Sequence, residues 1–128
     1  MNKILLLSCA LPLFAFAGTA ETLTPQVEPL QRFSAEAQIS GLEGYDLRAR
    51  KIVVPAGGKI PEHGHKTRPG IVYVQSGEII EFRSSQPRLL KAGDSVIEDV
   101  NTVHGYENVS TQACVLIAFD IPAQVPQG

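Results

Sequence analysis

Cysteine is nearly absent from this chain of 128 residues, which has only Cys9 and Cys114. Cys9 lies in an N-terminal apolar stretch, so a domain folded from the remainder holds one thiol and no internal disulfide framework. Within Ala113-Cys114-Val115-Leu116-Ile117-Ala118-Phe119, that thiol reads as a small buried hydrophobe rather than a nucleophile. There is no cluster of Lys and Arg with interleaved aromatics, and the formal net charge is −2. Both features argue against a nucleic-acid partner. No apolar run reaches the ~20 residues that span a bilayer. Beyond Ala20 no long window carries a 3.6-residue hydrophobic period, so helices are not expected. Histidine is scarce too: His63, His65 and His104 are the whole supply.

The N-terminus has its own logic. Lys3 supplies a positive start, Ile4 to Ala17 is apolar, and small residues offer cleavage after Ala17 or Ala20. Residues 1–20 are therefore expected to be a secretory signal, and the mature protein to be secreted or periplasmic without a membrane anchor. Leu6-Leu7-Ser8-Cys9 faintly resembles a lipoprotein box but comes too early to leave a hydrophobic region before the cysteine. What remains is one domain of about 108 residues, large enough for a core of its own. Losing Lys3 makes its charge one unit more negative.

Residues 21–40 are weakly patterned, and Pro25 and Pro29 are expected to block regular structure there. This is read as an arm that packs on the barrel or on a partner subunit. From residue 41 to 128 the signals are those of strands. Tyr45 to Val54 roughly alternates, Ile71-Val72-Tyr73-Val74 is β-branched and aromatic, and Ser76-Gly77 leads tightly into Glu78-Ile79-Ile80-Glu81-Phe82. Ser84-Ser85-Gln86-Pro87 reads as a loop, Ala92-Gly93-Asp94 as a turn before Ser95-Val96-Ile97, and Ala113 to Ile121 as the last strand. Many short strands punctuated by Gly and Pro indicate an all-β sandwich or barrel.

Into this frame falls Gly57-Gly58-Lys59-Ile60-Pro61-Glu62-His63-Gly64-His65. In an extended segment, His63 and His65 project from one face. Two neutral imidazoles so placed are half of a site for a divalent transition metal, and His104 is available to complete it.

Two stretches resemble the sequence motifs of the cupins. The first motif runs Gly, five residues, His-x-His, four residues, Glu, six residues, Gly. It falls here on Gly57, His63, His65, Gly70 and Gly77, with Gly70 standing where the family has glutamate. The second falls on Gly93, Asp99, Asn101, His104 and Asn108, so its Pro and internal Gly are replaced while Gly, His and Asn stand. The resemblance implies a double-stranded β-helix jelly roll with a metal held in the barrel mouth by His63, His65 and His104. Iron, zinc, nickel or manganese would all suit the donors. Three-histidine cupins include iron dioxygenases, so the resemblance implies a metal-dependent oxygenase acting on a small organic substrate. A non-catalytic module that binds a small molecule or metal, and a metal-assisted isomerase or lyase, are the alternatives.

Without a carboxylate ligand, the ion would keep its double charge and acidify bound water more strongly. Glu62, Glu78, Glu81 and Glu98 are the nearby acids. None falls on the motif position, and none is assigned as a ligand. Strand parity turns Gly70, Val72 and Val74 inward, making Val72 and Val74 an apolar substrate wall. Thr102 and Tyr106 share the parity of His104, so Tyr106 is a candidate catalytic phenol. Arg68, in the loop after His65, is positioned to hold a substrate carboxylate. Ile71, Tyr73 and the apolar last strand leave an outer face to be covered, for which a homodimer is expected.

Overall fold

The computed structural model describes residues 22–84 and 86–124. The expected signal, residues 1–20, lies outside the described residues. Nine strands and no helix are found among those described: β1 (Gln26–Ser34), β2 (Asp46–Val54), β3 (Lys59–Gly64), β4 (Gly70–Ser76), β5 (Glu78–Arg83), β6 (Gln86–Lys91), β7 (Ser95–Glu98), β8 (Val103–Glu107) and β9 (Cys114–Asp120). They form two antiparallel sheets, one ordered β1-β2-β9-β4-β7 and the other β3-β8-β5-β6.

Alternation decides which side chains meet between the sheets. Val72 and Val74 of β4, Ile79 of β5, Val96 of β7 and Cys114, Leu116 and Ala118 of β9 point inward and form one buried cluster with Val54, Leu90 and Tyr106. Burial of this kind is worth roughly 1.5–3 kcal/mol for each large aliphatic side chain. Cys114 is fully buried, and burial pushes its thiol up to about 11, which makes it a core group without nucleophilic character.

Two motif glycines close the tight connections. Gly77 has φ 76°, and a Cβ there would lie 2.6 Å from the Ala113 carbonyl oxygen. Gly93 has φ 96° in the turn where Asp94 Oδ2 accepts the Lys91 amide at 2.7 Å. Asn108 is buried, and its side-chain nitrogen donates to the Val54 and Gln112 carbonyls at 3.0 and 2.8 Å. That locks the β8–β9 connection to the end of β2.

Two expectations are corrected. The arm is not irregular: residues 26–34 form β1, paired along β2 from Gln26↔Val53 to Ser34↔Asp46. Pro29 is tolerated because β1 is an edge strand and the register shifts between Pro29 and Gln31, where a ladder hydrogen bond is not required. Pro87, expected in a loop, lies in β6, which is also an edge and pairs only with β5.

Candidate metal centre

His63 and His104 lie directly opposite each other in the β3–β8 ladder. That register needs an irregularity. Ile60 pairs with Tyr106 and His63 with His104, so Pro61 and Glu62 together oppose the single residue Gly105. An unbroken strand would put Ile60 and His63, three residues apart, on opposite faces. The bulge restores both to the inner one. Gly105 makes it possible: a Cβ there would meet the Ile60 oxygen at 3.0 Å and the Glu62 nitrogen at 3.2 Å. Just past β3, the His65 amide donates to the Thr102 carbonyl at 3.1 Å, which holds the second imidazole alongside the first.

The three rings sit at the corners of a nearly equilateral triangle, with every pair of centroids 4.9 Å apart. His65 and His104 are buried and His63 is half-buried, facing the opening. Each Nδ1 is spoken for. That of His63 donates to the Pro61 carbonyl at 2.8 Å, that of His65 to the Arg68 carbonyl at 3.2 Å, and that of His104 to Glu81 Oε1 at 2.7 Å. These acceptors carry no hydrogen, so the proton belongs to Nδ1 and the Nε2 lone pairs are left free. The Nε2 atoms of His65 and His104 then face each other at 3.0 Å. Nitrogens that close share a cation, either a proton carried by His104, whose pKa is raised, or a metal ion that displaces it. About 3 Å is also the edge between neighbouring donors around a six-coordinate ion with bonds near 2.1 Å. The residues therefore fit a divalent transition metal, and one donor atom from each of the three histidines lies within 4.8 Å of the others.

Burial is the main force on these rings and pushes the His63 and His65 pKa values down, favouring the neutral, ligating form. His104 differs. Burial opposes its charge, but Glu81 and Glu98 outweigh it and raise the pKa.

Two acids reach the site that the sequence reading did not place there. Glu81, 1% exposed, accepts from Arg83, from Arg88 at 2.8 Å and from His104. Although burial works against ionisation, these donors hold its carboxyl down to about 2. Glu98, 3% exposed, puts Oε1 3.3 Å from His104 Nε2 and Oε2 3.4 Å from His65 Nδ1. Alternation alone contained a signal for both, since Glu81 shares the inner face with Ile79 and Glu98 with Val96.

A cavity of about 380 Å³ opens over His63 and His65. Arg68, Val72 and Tyr106 line it as expected of pocket residues, whereas Val74 does not. One inward position further along β4, Val74 is wholly enclosed by the core. The Tyr106 hydroxyl donates to Glu98 Oε1 at 3.4 Å, and its ring packs edge-on against His104. Burial, then the charges of Glu98 and Glu81, push the phenol far above its ordinary pKa, so it stays protonated and can only donate a hydrogen bond. Arg50 also lines the cavity. It shares Asp120 with Arg48, both guanidinium groups donating to Oδ2, and its own buried Nε has no partner. Burial pushes the Arg50 pKa down, and the neighbouring Arg48 and Arg68 charges add to this against the pull of Asp120. Glu62 and Glu98 line the same cavity, so its wall carries both signs of charge.

Comparison with known proteins follows the same lines. A cupin domain model matches residues 50–120. No curated protein matches. Among solved structures, a Klebsiella pneumoniae protein with a double-stranded β-helix domain superposes with TM-score 0.66 at 19% identity, covering 82% of this chain and 83% of that one. A predicted oxalate decarboxylase from Thermotoga maritima gives TM-score 0.54 at 20% identity over 76% and 94% of the two chains. The Schizosaccharomyces pombe Cnp3 cupin domain gives 0.59 at 14% identity over 78% of this chain, which spans 65% of that domain. At such identities the likeness shows the fold alone. With its motif glycines in the turns and its histidines in the barrel mouth, the chain belongs to the cupin family.

Proposed function

We propose that this cupin is a metal-dependent oxygenase acting on a small organic anion. The observation that carries the reading is that one ring nitrogen from each histidine lies within 4.8 Å of the others while every Nδ1 has an oxygen acceptor. A redox-active divalent ion held there would supply Lewis acidity and electrons that side chains lack. The chain does the rest. Arg50 and Arg68 attract a negative group into the cavity, Val72 and Ile60 offer apolar contact and exclude water, and Tyr106 can donate a hydrogen bond beside the histidines. The test is elemental analysis of protein never exposed to chelator or nickel resin, followed by oxygen uptake with small carboxylates, thiols and diketones. About one iron per chain with substrate-dependent uptake supports the oxygenase. A metal-free protein that binds ligand equally well would instead be the non-catalytic module.

The reading includes export and pairing. Ile97, Ile71 and Phe119 lie in one row across β7, β4 and β9, at 68%, 50% and 55% exposure, with Tyr73 beside them. This outer face suits a second copy of the chain. N-terminal sequencing of protein recovered from the periplasmic fraction tests export, with Gly18 or Glu21 expected as the new terminus rather than Met1.

A further inference from the structure

Gly70 stands where the family motif places glutamate, and its partner across the β4–β7 ladder is Glu98. The glycine is enforced: a Cβ at Gly70 would lie 2.4 Å from the Phe119 carbonyl oxygen and 2.8 Å from Asp120 Cβ. Strand β4 approaches β9 too closely there to carry a side chain. The neighbouring strand β7 sends a carboxylate toward the same region.

The surroundings of Glu98 are unlike those of the other buried acids. Glu81 is held by two arginines and an imidazole, and Asp120 by two arginines, with contacts as short as 2.7–2.8 Å. Among the described residues, Glu98 has no Lys or Arg within ion-pairing distance. Its three polar neighbours, His65 Nδ1, His104 Nε2 and the Tyr106 hydroxyl, stand at 3.3–3.4 Å. Charge-assisted hydrogen bonds are ordinarily about 2.7–2.9 Å. A buried carboxylate with such long contacts is poorly compensated, and a buried charge without compensation is costly. Oε1 lies 3.3 Å from His104 Nε2, close to the 3.0 Å between the two imidazole nitrogens. The carboxylate thus lies beside the donor set of His63, His65 and His104, on the His104 side.

We propose that Glu98 supplies the fourth protein ligand of the metal, a carboxylate delivered from β7 in place of the side chain that β4 cannot hold at Gly70. The inference rests on the three-histidine metal site proposed above. One negative ligand offsets half the charge of a divalent ion, so the ion would be a milder Lewis acid than three neutral imidazoles alone would leave it.

The experiment compares the wild-type protein with Glu98→Gln, Glu98→Asp and, as a control on an acid that touches only Nδ1, Glu81→Gln. Each metal-free protein is titrated with Co(II), following visible absorption and affinity by competition with a chromophoric chelator. Circular dichroism and thermal melts without metal report folding. For Glu98→Gln the expected result is an affinity loss of about a hundredfold or more with changed Co(II) bands. Glu81→Gln is expected to weaken binding by about 10–100-fold, as outer-sphere partners do, with bands unchanged. Should Glu98→Gln misfold, Glu98→Asp keeps the charge but shortens its reach, and altered Co(II) bands are expected there. Wild-type affinity and spectrum in a folded Glu98 variant would overturn the assignment while leaving the histidine site standing. Failure of the wild-type protein to bind Co(II), Fe(II), Mn(II) or Zn(II) would overturn both.

Discussion

Glu81 Oε1 accepts the Nδ1 proton of His104 at 2.7 Å, with both residues at or below 1% exposure. The contact fixes the tautomer of a ring that has no other acceptor for that proton. It also neutralises part of the charge on Arg83 and Arg88. Glu81→Ala should therefore cost roughly 1–3 kcal/mol, because it strands the buried His104 imidazole while Arg83 and Arg88 remain partly in solvent. Urea unfolding of the metal-free protein checks this, and an unchanged midpoint would mean the network relaxes without loss.

The same carboxyl makes stability depend on acid. A glutamate that titrates near 4.5 when unfolded is held at about 2 in the fold. Its contribution is complete above the unfolded value and disappears as pH falls toward the folded one. Metal-free protein should lose stability between about pH 4.5 and pH 2, and the loss should be smaller in Glu81→Gln. Thermal melts across that range provide the comparison.

Metal affinity should rise with pH through the neutral range. The raised His104 pKa means that a metal must displace a proton from that ring near pH 6.5, whereas His63 and His65 are already neutral there. Competition titrations between about pH 6 and pH 8 should show affinity increasing by up to tenfold per unit until His104 is deprotonated. A flat profile would place the ligating proton elsewhere.

Gly105 is the residue on which the β3 bulge rests. Gly105→Val should cost about 1–3 kcal/mol by overpacking against Ile60 and Glu62. Metal affinity should fall as well, because His63 owes its inward direction to the bulge. A variant that is destabilised but still binds metal at wild-type strength would separate the bulge from the site.

If the row Ile97, Ile71 and Phe119 is a subunit interface, Ile71→Lys should convert a dimer to a monomer with little loss of stability, since that side chain is half-exposed. Light scattering after gel filtration decides it. Equal masses for wild-type and variant protein would remove this face as the interface.

Much of this was legible in the residues themselves. The His-x-His spacing, the glycines at Gly77 and Gly93 and the alternation around Val72 and His104 are local patterns with local causes. Strand β1 was not legible, because an exposed edge strand has no buried face to impose alternation and its prolines argue against it. The roles of Glu81 and Glu98 were half legible. Alternation pointed both inward, but what each meets depends on pairing between strands far apart in sequence. Gly70 opposite Glu98 is a fact of register, and a strand read alone has none.

His63 and His104 belong to the four-stranded sheet, while Glu98 ends a strand of the five-stranded one. An ion held by these side chains would rivet the two layers at the open end, where β3 and β7 have only short ladders to anchor them. Loading would then be a mechanical event as well as a chemical one. The mouth would stiffen when the ion enters and slacken when it leaves, and amides around Thr102 and Glu98 would be the first to exchange with solvent in the empty protein.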